Sequence, residues 1–400
     1  MRQRTKAYIF AGMFLGMMIL PGLLFIPLKD YVDTENYENR VYQEKPVLDF
    51  RNPGDLKAYP SRYDAYFNDH LAFKNPIVAF GKLTDIHVFG EVTSDAVLMG
   101  RDGWMFYKLK GEMEDSIADY QGTNHYSEEE LERFATLLKQ ADSNLASKGM
   151  RLIFYMVPNK EQVYSEYMPW SVKVVHEQSK ADLLYAYLRE NTDCVVYYPL
   201  DEFRKAKDDW CQIYRKYDTH WNDMGAFMAA QMLIQDIDGE AFTPESYRAY
   251  DIDQRGTFSG DLATMLNLQK YYDDDPFLKV SGYREDVSFE MDYQNEHETV
   301  THYSSDAAGK AGKVLICRDS FGVHMAEYFA RNYPDVTLMD YRTEDCGAAA
   351  LEIQPDAVVI EAAERYTDYM FGLLERLGTV GGGEGMPKED TILDEGNAGI

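Results

Sequence analysis

Two short, well-separated stretches of the chain hold residue types that together can do covalent chemistry. The first stretch, Tyr217 to Asn222, places Asp218 two residues before His220, and the second, Leu315 to Gly322, places Ser320 after an apolar run. A serine hydroxyl becomes a strong nucleophile when a histidine takes its proton and a carboxylate orients that histidine. The two stretches therefore predict a catalytic Ser-His-Asp system in which Ser320 attacks, His220 is the base and Asp218 orients the base.

Both motifs also have alternative interpretations. A serine at a strand-to-helix turn often only caps the helix, which would leave Asp319 facing solvent. His324, four residues past Ser320, is a second candidate base. We prefer His220 because Asp218 can accept a hydrogen bond from its other ring nitrogen and so fix the tautomer. The amide of Ser320 and the amides of the helix start behind it are candidate donors to an oxyanion.

The elements that must position these residues form a regular alternation of helices and apolar strands. Ser127 and Glu130 have the spacing of a helix capping box, and Gly149 stands where a helix-ending glycine is expected. Continuous apolar strands that alternate with helices predict a parallel sheet covered on both faces. The predicted strands are Leu152–Val157, Val195–Tyr198, Lys313–Cys317, Val336–Asp340 and Ala357–Ile360.

This alternation places Ser320 at the carboxyl end of a strand, the edge where sites form in open α/β sheets. It stops between about Thr243 and Gly312, a polar stretch that we expect to be an insertion overhanging the site. Ahead of the alternation, Val97 to Tyr107 is typical of a β-hairpin in which Trp104 packs inward.

The amino terminus predicts a membrane anchor. Ala7 to Leu28 carries no charge and follows Arg2, Arg4 and Lys6. Such a stretch is long enough to span a bilayer, and the basic flank favours a cytoplasmic amino terminus. The rival interpretation is a cleaved signal peptide, but the apolar stretch is long for one, and no A-x-A-like cleavage site precedes Lys29 and Asp30. We expect a single-pass protein of the cell membrane with its catalytic domain outside the cytoplasm.

The sequence divides into four parts on composition. Residues 1–28 form the cytoplasmic tip and transmembrane signal anchor, and residues 29–60 are a proline-broken stalk. Residues 61–378 form the α/β domain, including the insertion at about 243–312. Residues 379–400 are rich in glycine and acidic residues, which predicts a disordered tail.

The composition also narrows the function classes. The formal net charge is −28, from 68 acidic and 40 basic residues. Binding of nucleic acid or of anionic lipid needs a basic face, so both are disfavoured. The four cysteines form neither a CxxC motif nor a zinc-like spacing with histidine. We therefore expect no metal, no organic cofactor and no nucleic-acid partner.

The two central motifs, Asp218 to Asn222 and Arg318 to Gly322, resemble the signature of the AlgX/AlgJ-type SGNH hydrolase-like family. That family comprises the alginate O-acetylation proteins, and the related "DHHW" proteins are similar to it. Further matches run in the same order, over roughly residues 35 to 378. They are Gly100 to Tyr107, Val157 to Lys160 with Tyr164 and Tyr167 to Pro169, Gly260 to Leu262, Asp340 to Arg342, and Pro355 to Arg365.

The resemblance implies a circularly permuted SGNH-hydrolase fold, a flavodoxin-like three-layer α/β/α arrangement with a parallel sheet. It implies that Ser320 is acylated, that His220 is general base and then acid, and that Asp218 orients His220. It further implies transfer of acetyl to hydroxyls of a cell-envelope or extracellular polysaccharide, with a membrane-bound O-acyltransferase partner as acetyl donor.

Two alternatives to this function stay open on the sequence. The same three residues would serve a polysaccharide acetylesterase, which passes acetyl to water instead of sugar. A protein of a different class, a non-catalytic polysaccharide-binding scaffold of an export or acetylation complex, would retain the motifs without using them.

The sequence departs from the commoner SGNH pattern near the oxyanion site. Arg318 precedes Asp319 where SGNH enzymes usually have glycine, and Glu361 and Arg365 follow the last strand where those enzymes supply an oxyanion asparagine. The resemblance offers three residues as candidate oxyanion or substrate contacts, namely Arg342, Asn159 and Tyr341.

Overall fold

A computed structural model gives the structure of most of the chain. Part of the predicted stalk, 29–41, and most of the predicted tail, 382–400, lie outside the described residues. The described residues are 2–28, 42–48, 50–71, 74–243 and 245–381.

The chain divides into two compact units. Of the described residues, the first unit contains those up to Thr93 together with Thr264–Gln269, and the second contains Ser94–Ala263 and residues 270–381. Every residue of the predicted catalytic system belongs to the second unit.

The first unit is helical. Helix α1 covers Arg2–Leu28, α2 covers Pro53–Asp69 and α3 covers Lys74–Phe89, although several side chains of α1 lie outside the described part of the chain. The side chain of Asn52 starts α2 by accepting a hydrogen bond from the Gly54 amide. Within what is described, no helix is both long enough and apolar enough to cross a membrane.

The second unit opens with the predicted hairpin. Strands β1 (Val97–Met99) and β2 (Met105–Tyr107) pair antiparallel, and the turn between them has positive φ at Asp102 and Gly103. Trp104 is buried against Tyr164 and Tyr167, so the predicted packing role is confirmed.

A seven-stranded sheet forms the centre of this unit, in the order β4-β3-β11-β9-β10-β8-β7. The five strands from β4 to β10 are parallel, and β3, β9 and β11 are buried on both faces. The strands of this sheet are β3 (Arg151–Val157), β4 (Val195–Tyr197), β7 (Phe289–Gln294), β8 (Val300–Ser305), β9 (Lys313–Arg318), β10 (Asp335–Asp340) and β11 (Ala357–Ala363).

The strand order confirms the circularly permuted, flavodoxin-like fold. Counted from β9, the parallel strands lie in the spatial order second, first, third, fourth and fifth, which is the flavodoxin-like order. The fourth and fifth strands, β3 and β4, come first in the chain. The order reverses between β9 and β11, and this switch point is where doubly wound sheets bind ligands.

The prediction of a wholly parallel sheet was wrong at one edge. Strands β7 and β8 come from the predicted insertion; β8 pairs antiparallel with β10, and β7 pairs antiparallel with β8. Residues of β7 are mostly exposed, so the strand lacks the continuous apolar run that marks a parallel strand. The hairpin covers the β10 edge, which would otherwise present unpaired backbone groups. The rest of the insertion includes a separate ribbon of β5 (Asp251–Phe258) and β6 (Asp275–Ser281).

Helices connect and cover the strands. The capping box at Ser127 and Glu130 is present at the start of α5, and Gly149 follows this helix with a φ of 81°, as the sequence predicts. The remaining helices are α4 (Ser116–Gln121), α5 (Glu128–Ala146), α6 (Lys160–Val163), α7 (Lys180–Asn191), α8 (Leu200–Asp209), α9 (Asp223–Ile237), α10 (Glu245–Arg248), α11 (Asp261–Met265), α12 (Ala326–Ala330), α13 (Cys346–Ile353) and α14 (Met370–Thr379).

Candidate active site

Ser320 lies in the sharp turn that follows β9. Asp319 holds this turn, because its carboxylate accepts hydrogen bonds from the Phe321 amide at 2.8 Å and from the Ala363 amide of β11 at 2.7 Å. Asp319 is fully buried, so the alternative in which it faces solvent is wrong. The same turn needs a glycine at position 322, because a Cβ there would lie 2.5 Å from the Arg318 Cβ.

The loop that carries Asp218 and His220 runs into α9. Asn222 caps this helix by accepting hydrogen bonds from two amides of its first turn, at 3.0 and 3.2 Å. Trp221 is buried, and its indole N–H donates to the Phe321 carbonyl at 3.1 Å. This contact ties the Asp218–His220 loop directly to the turn that carries Ser320.

The structure brings the three predicted catalytic residues into one hydrogen-bond chain. The Ser320 hydroxyl and the His220 Nε2 atom lie 2.8 Å apart, and the His220 Nδ1 atom lies 2.7 Å from the Asp218 Oδ1 atom. Asp218 also accepts a hydrogen bond from the His220 amide at 2.8 Å. With the Nδ1–H group donating to Asp218, Nε2 is free to accept the serine proton, which is the arrangement that activates a nucleophile.

The charges around His220 favour its protonated form. Burial disfavours a charged imidazole, but the hydrogen bond and charge of Asp218 and the charge of Asp261 outweigh it, so the pKa of His220 is raised. Burial would also raise the pKa of Asp218, but the hydrogen bonds and charge of His220 hold that pKa well below its usual range. Asp218 is therefore an ionised partner for a protonated His220.

Asp261 is a second carboxylate at the same imidazole, which the sequence offered only as part of a family motif. Its Oδ2 atom lies 3.5 Å from the His220 Nδ1 atom, and its amide donates to Asp218 Oδ2 at 3.1 Å. Gly260 permits this approach, because a Cβ there would lie 2.2 Å from the Tyr217 carbonyl oxygen. Burial, followed by the charge of Asp218, raises the pKa of Asp261. We call the contact of Asp261 with Asp218 and His220 the Asp261 clamp. Its only sequence signal is a glycine directly before an acidic residue.

Asp218, His220 and Asp261 also have the spacing of a metal site. One ligand atom from each lies within 4.8 Å of the others. A cation bound through His220 Nδ1 would displace the proton donated to Asp218, and it would therefore compete with the hydrogen-bond chain to Ser320. The expectation that no metal is used stays a prediction.

His324, the second candidate base, is less suited to the role. Its ring centroid lies 5.9 Å from that of His220. Burial, the charge of His220 and the charge of Arg215 lower the pKa of His324 to about 3, which makes it a weak proton acceptor. Among the described residues, the Ser320 hydroxyl has its hydrogen bond with His220 and none with His324.

Two of the candidate oxyanion contacts bind carboxylates. The Arg342 guanidinium donates to both carboxylate oxygens of Asp340, at 3.0 and 2.7 Å. Tyr341 is buried, and its hydroxyl lies 3.4 Å from Asp319 Oδ2. Within the described part of the chain, neither side chain forms a hydrogen bond with Ser320, because each finds a carboxylate at the end of its own or a neighbouring strand.

Asn159, the third candidate, is buried in a polar network behind the site. Its backbone N–H donates to the Glu364 carboxylate at 2.9 Å, and its side-chain oxygen accepts a hydrogen bond from Arg365 at 3.4 Å. Arg365 is itself buried, and its guanidinium lies 5.2 Å from the ring centre of Phe321, the residue after Ser320. Its charge lowers the pKa of His220, so it lies within electrostatic reach of that imidazole.

The backbone amides of the turn differ in their availability. The Phe321 amide donates to Asp319, and the Asp319 amide donates to Glu361. Within the described residues, the Ser320 amide makes no such bond. The expected row of oxyanion donors is thus reduced at this turn to the Ser320 amide, and the buried Arg365 guanidinium near Phe321 adds a positive charge to the surroundings.

Comparisons with known proteins agree with this architecture. The family model for the SGNH hydrolase-like domain of acetyltransferase AlgX matches residues 97–283, a segment that includes Asp218 and His220. A probable alginate O-acetylase AlgJ from Pseudomonas putida is 26% identical over 235 residues, which are 58% of this chain and 56% of that protein. The corresponding AlgJ from Pseudomonas aeruginosa is 25% identical over 215 residues, 53% of this chain and 51% of that protein. The chain therefore spans about half the length of these curated relatives.

A solved structure supports the fold. The crystal structure of a DHHW family protein from Eubacterium siraeum aligns with a TM-score of 0.50 and 13% sequence identity. The alignment covers 71% of this chain and 96% of that one. The sequence-based recognition of the family is confirmed by the family model and the relatives together.

Proposed function

We propose that this chain, which belongs to the AlgX/AlgJ-type SGNH hydrolase-like family, is an O-acetyltransferase that carries acetyl on Ser320. The observation that carries the proposal is the unbroken hydrogen-bond chain from the Ser320 hydroxyl through His220 to Asp218. Ser320, at one end of these hydrogen bonds, follows the central strand β9 at the switch point of the sheet where ligands bind. The names of the curated relatives support acetyl as the transferred group.

In the first half-reaction, His220 Nε2 takes the Ser320 proton as the serine oxygen attacks the carbonyl carbon of an acetyl donor. The carbonyl oxygen gains negative charge in the tetrahedral intermediate, and Asp218 stabilises the imidazolium. When the intermediate collapses, the bond to the leaving group breaks and the imidazolium gives that group its proton. The enzyme is left with acetyl on Ser320 and a neutral His220.

In the second half-reaction, His220 takes the proton of a sugar hydroxyl. The sugar oxygen attacks the acetyl carbonyl, and the bond to Ser320 breaks as the imidazolium returns the proton to the serine oxygen. The products are the O-acetylated sugar and free Ser320. Throughout, the Ser320 amide and the buried Arg365 cation supply positive potential at the place where the oxyanion forms.

The proposed setting is outside the cytoplasm, on a cell-envelope or extracellular polysaccharide. The uncharged stretch from Ala7 to Leu28, behind three basic residues, supports a membrane anchor with that orientation. A membrane-bound O-acyltransferase partner would be the acetyl donor to Ser320. Acetylated Ser320 would then be the form that meets the polysaccharide.

A transfer assay tests this function against the acetylesterase alternative. Purified chain is incubated with an activated acetyl ester and an oligosaccharide, and acetylated sugar and free acetate are measured separately. A transferase produces acetylated sugar in amounts that rise with acceptor concentration, and Ser320→Ala produces none. Release of acetate from an acetylated polymer without sugar acetylation would instead make the protein an esterase. If the wild-type chain showed neither activity, only the alternative of a non-catalytic scaffold would remain.

A further inference from the structure

Lys160 is a buried lysine that the proposed mechanism does not use. It follows strand β3 within the motif Val157 to Lys160, and it is 2% exposed. An ammonium group is costly to bury unless all of its protons find acceptors. The contacts that satisfy it therefore indicate what the residue does.

All three acceptors of Lys160 come from the loop that carries the catalytic aspartate. Its Nζ atom lies 3.0 Å from the carbonyl oxygen of Arg215, 3.2 Å from that of Lys216 and 2.7 Å from that of Asp218. An ammonium has three N–H donors, so the loop uses its full capacity. The Lys160 Nζ atom also lies 5.6 Å from the ring centre of Trp104 and 5.2 Å from that of Phe106.

We propose that Lys160 is a positioning residue for the nucleophile system, acting as a tether that holds the backbone of 215–218 and so keeps Asp218 in place for His220. This inference rests on the proposed function. The Lys160 contact differs from the contacts of the Asp218 side chain, whose carboxylate is held by Asp261 and His220. The ammonium holds the main chain of the same residue, so the carboxylate is fixed from both ends.

The charge on Lys160 makes the tether sensitive to pH. Burial lowers the pKa of Lys160 to about 8, against the opposing effect of the four carboxylates that face it, those of Glu161, Asp218, Asp261 and Asp275. A neutral amine has only two N–H donors, so deprotonation leaves one carbonyl of the loop without its partner. We expect kcat to fall as the pH rises through this range.

This fall is separable from unfolding by its sign. The pKa of Lys160 is lower in the folded chain than the ordinary value of 10.5, so between the two values the unfolded chain binds more protons. The contribution of Lys160 to stability therefore increases as the pH rises through that interval. A loss of kcat there with no loss of folded protein indicates the tether and not denaturation.

Amide hydrogen exchange of the full chain tests the tether without reference to catalysis. Lys160→Met removes all three donors, and Lys180→Met is the matched control, because Lys180 is equally buried but pairs with Asp119 and Asp368. We expect exchange in peptides covering 213–222 to accelerate in Lys160→Met and not in Lys180→Met. Unchanged protection of this loop in Lys160→Met, with the variant folded by circular dichroism, would overturn the proposal.

Kinetics with an activated acetyl ester test the consequence. We expect Lys160→Met to lower kcat about 100-fold, the cost of a displacement near 1 Å, with little change in KM. Lys160→Gln keeps two neutral donors, so it should retain more kcat and lose the alkaline fall of the wild type. An equal loss of kcat in Lys180→Met, or an alkaline fall that persists unchanged in Lys160→Gln, would contradict the tether. If the wild-type chain cleaves no ester, the proposed function fails, while the exchange experiment still decides the role of Lys160.

Discussion

Asp261 lies 3.5 Å from the same His220 nitrogen that Asp218 contacts at 2.7 Å. The two carboxylates differ in pKa, because the pKa of Asp218 is held well below its usual range while burial and the charge of Asp218 raise that of Asp261. Asp218 is thus the permanent partner of the imidazolium. Asp261 adds negative potential and, through its amide, holds the Asp218 carboxylate.

Removing the Asp261 charge should shift the pH dependence of the reaction. The charge of Asp261 contributes to the raised pKa of His220, so Asp261→Asn lowers that pKa. Because His220 must be neutral to accept the serine proton, the acidic limb of kcat/KM moves to lower pH. Asp218→Asn should instead lower kcat by on the order of 10⁴-fold, since the histidine loses its orienting charge. A limb that moves to higher pH in Asp261→Asn would contradict this assignment.

Removing the Arg365 charge should shift the acidic limb of the pH profile in the opposite direction, to higher pH. The charge of Arg365 lowers the pKa of His220, so Arg365→Met raises it and shifts the acidic limb of kcat/KM to higher pH. If the guanidinium also stabilises the oxyanion, kcat falls by about 100- to 1000-fold. Arg365→Lys keeps a positive charge and controls for the loss of folding that an unpaired buried network causes. A wild-type kcat in Arg365→Met would exclude the oxyanion role.

Arg342, in contrast, should prove dispensable for the chemistry. Its guanidinium is committed to Asp340, so Arg342→Met leaves that buried carboxylate without its main partner and lowers the melting temperature. The expected kcat on an activated ester is close to that of the wild type. A large loss of kcat at a temperature where the variant is fully folded would return Arg342 to the oxyanion site.

Gly260 should tolerate no side chain. A Cβ at this position would lie 2.2 Å from the Tyr217 carbonyl oxygen and 2.5 Å from the Asp218 Cβ, so Gly260→Ala displaces the catalytic loop or the Asp261 clamp. We expect lower kcat and a lower melting temperature. The control is Gly372→Ala in α14, where the nearest atom outside the helix backbone is the end of the flexible Arg376 side chain at 3.6 Å. That variant should be as stable as the wild type or more so, because alanine is the better helix former.

The sequence predicted the parallel strands and the three residues of the nucleophile system because both leave local signals. Strands β3, β9 and β11 are buried on both faces and read as continuous apolar runs. Asp218 and His220 are neighbours in the chain, and Ser320 follows one of these strands. The parallel order of the strands then brings the two motifs together at one edge.

Other parts of the site left no such signal. Strand β7 is polar and mostly exposed, so nothing in its pattern separates it from a surface loop. The commitment of Arg342 to Asp340 and the reach of Lys160 to three loop carbonyls depend on side-chain geometry that spacing does not encode. Asp261 lies within the polar insertion, and its role depends on a contact with Asp218, 43 residues earlier, that the pattern of the insertion does not indicate.

In the proposed reaction acetyl passes through Ser320, and trapping that intermediate is the most direct test. The chain is mixed with an activated acetyl ester, quenched in acid and digested, and the peptide that contains Ser320 is examined by mass spectrometry. We predict one acetyl group on Ser320, which disappears when an oligosaccharide acceptor is added before the quench and never forms in Ser320→Ala or His220→Ala. Acetylated sugar produced by Ser320→Ala at the wild-type rate, with no acetyl on Ser320 at any time, would contradict the account.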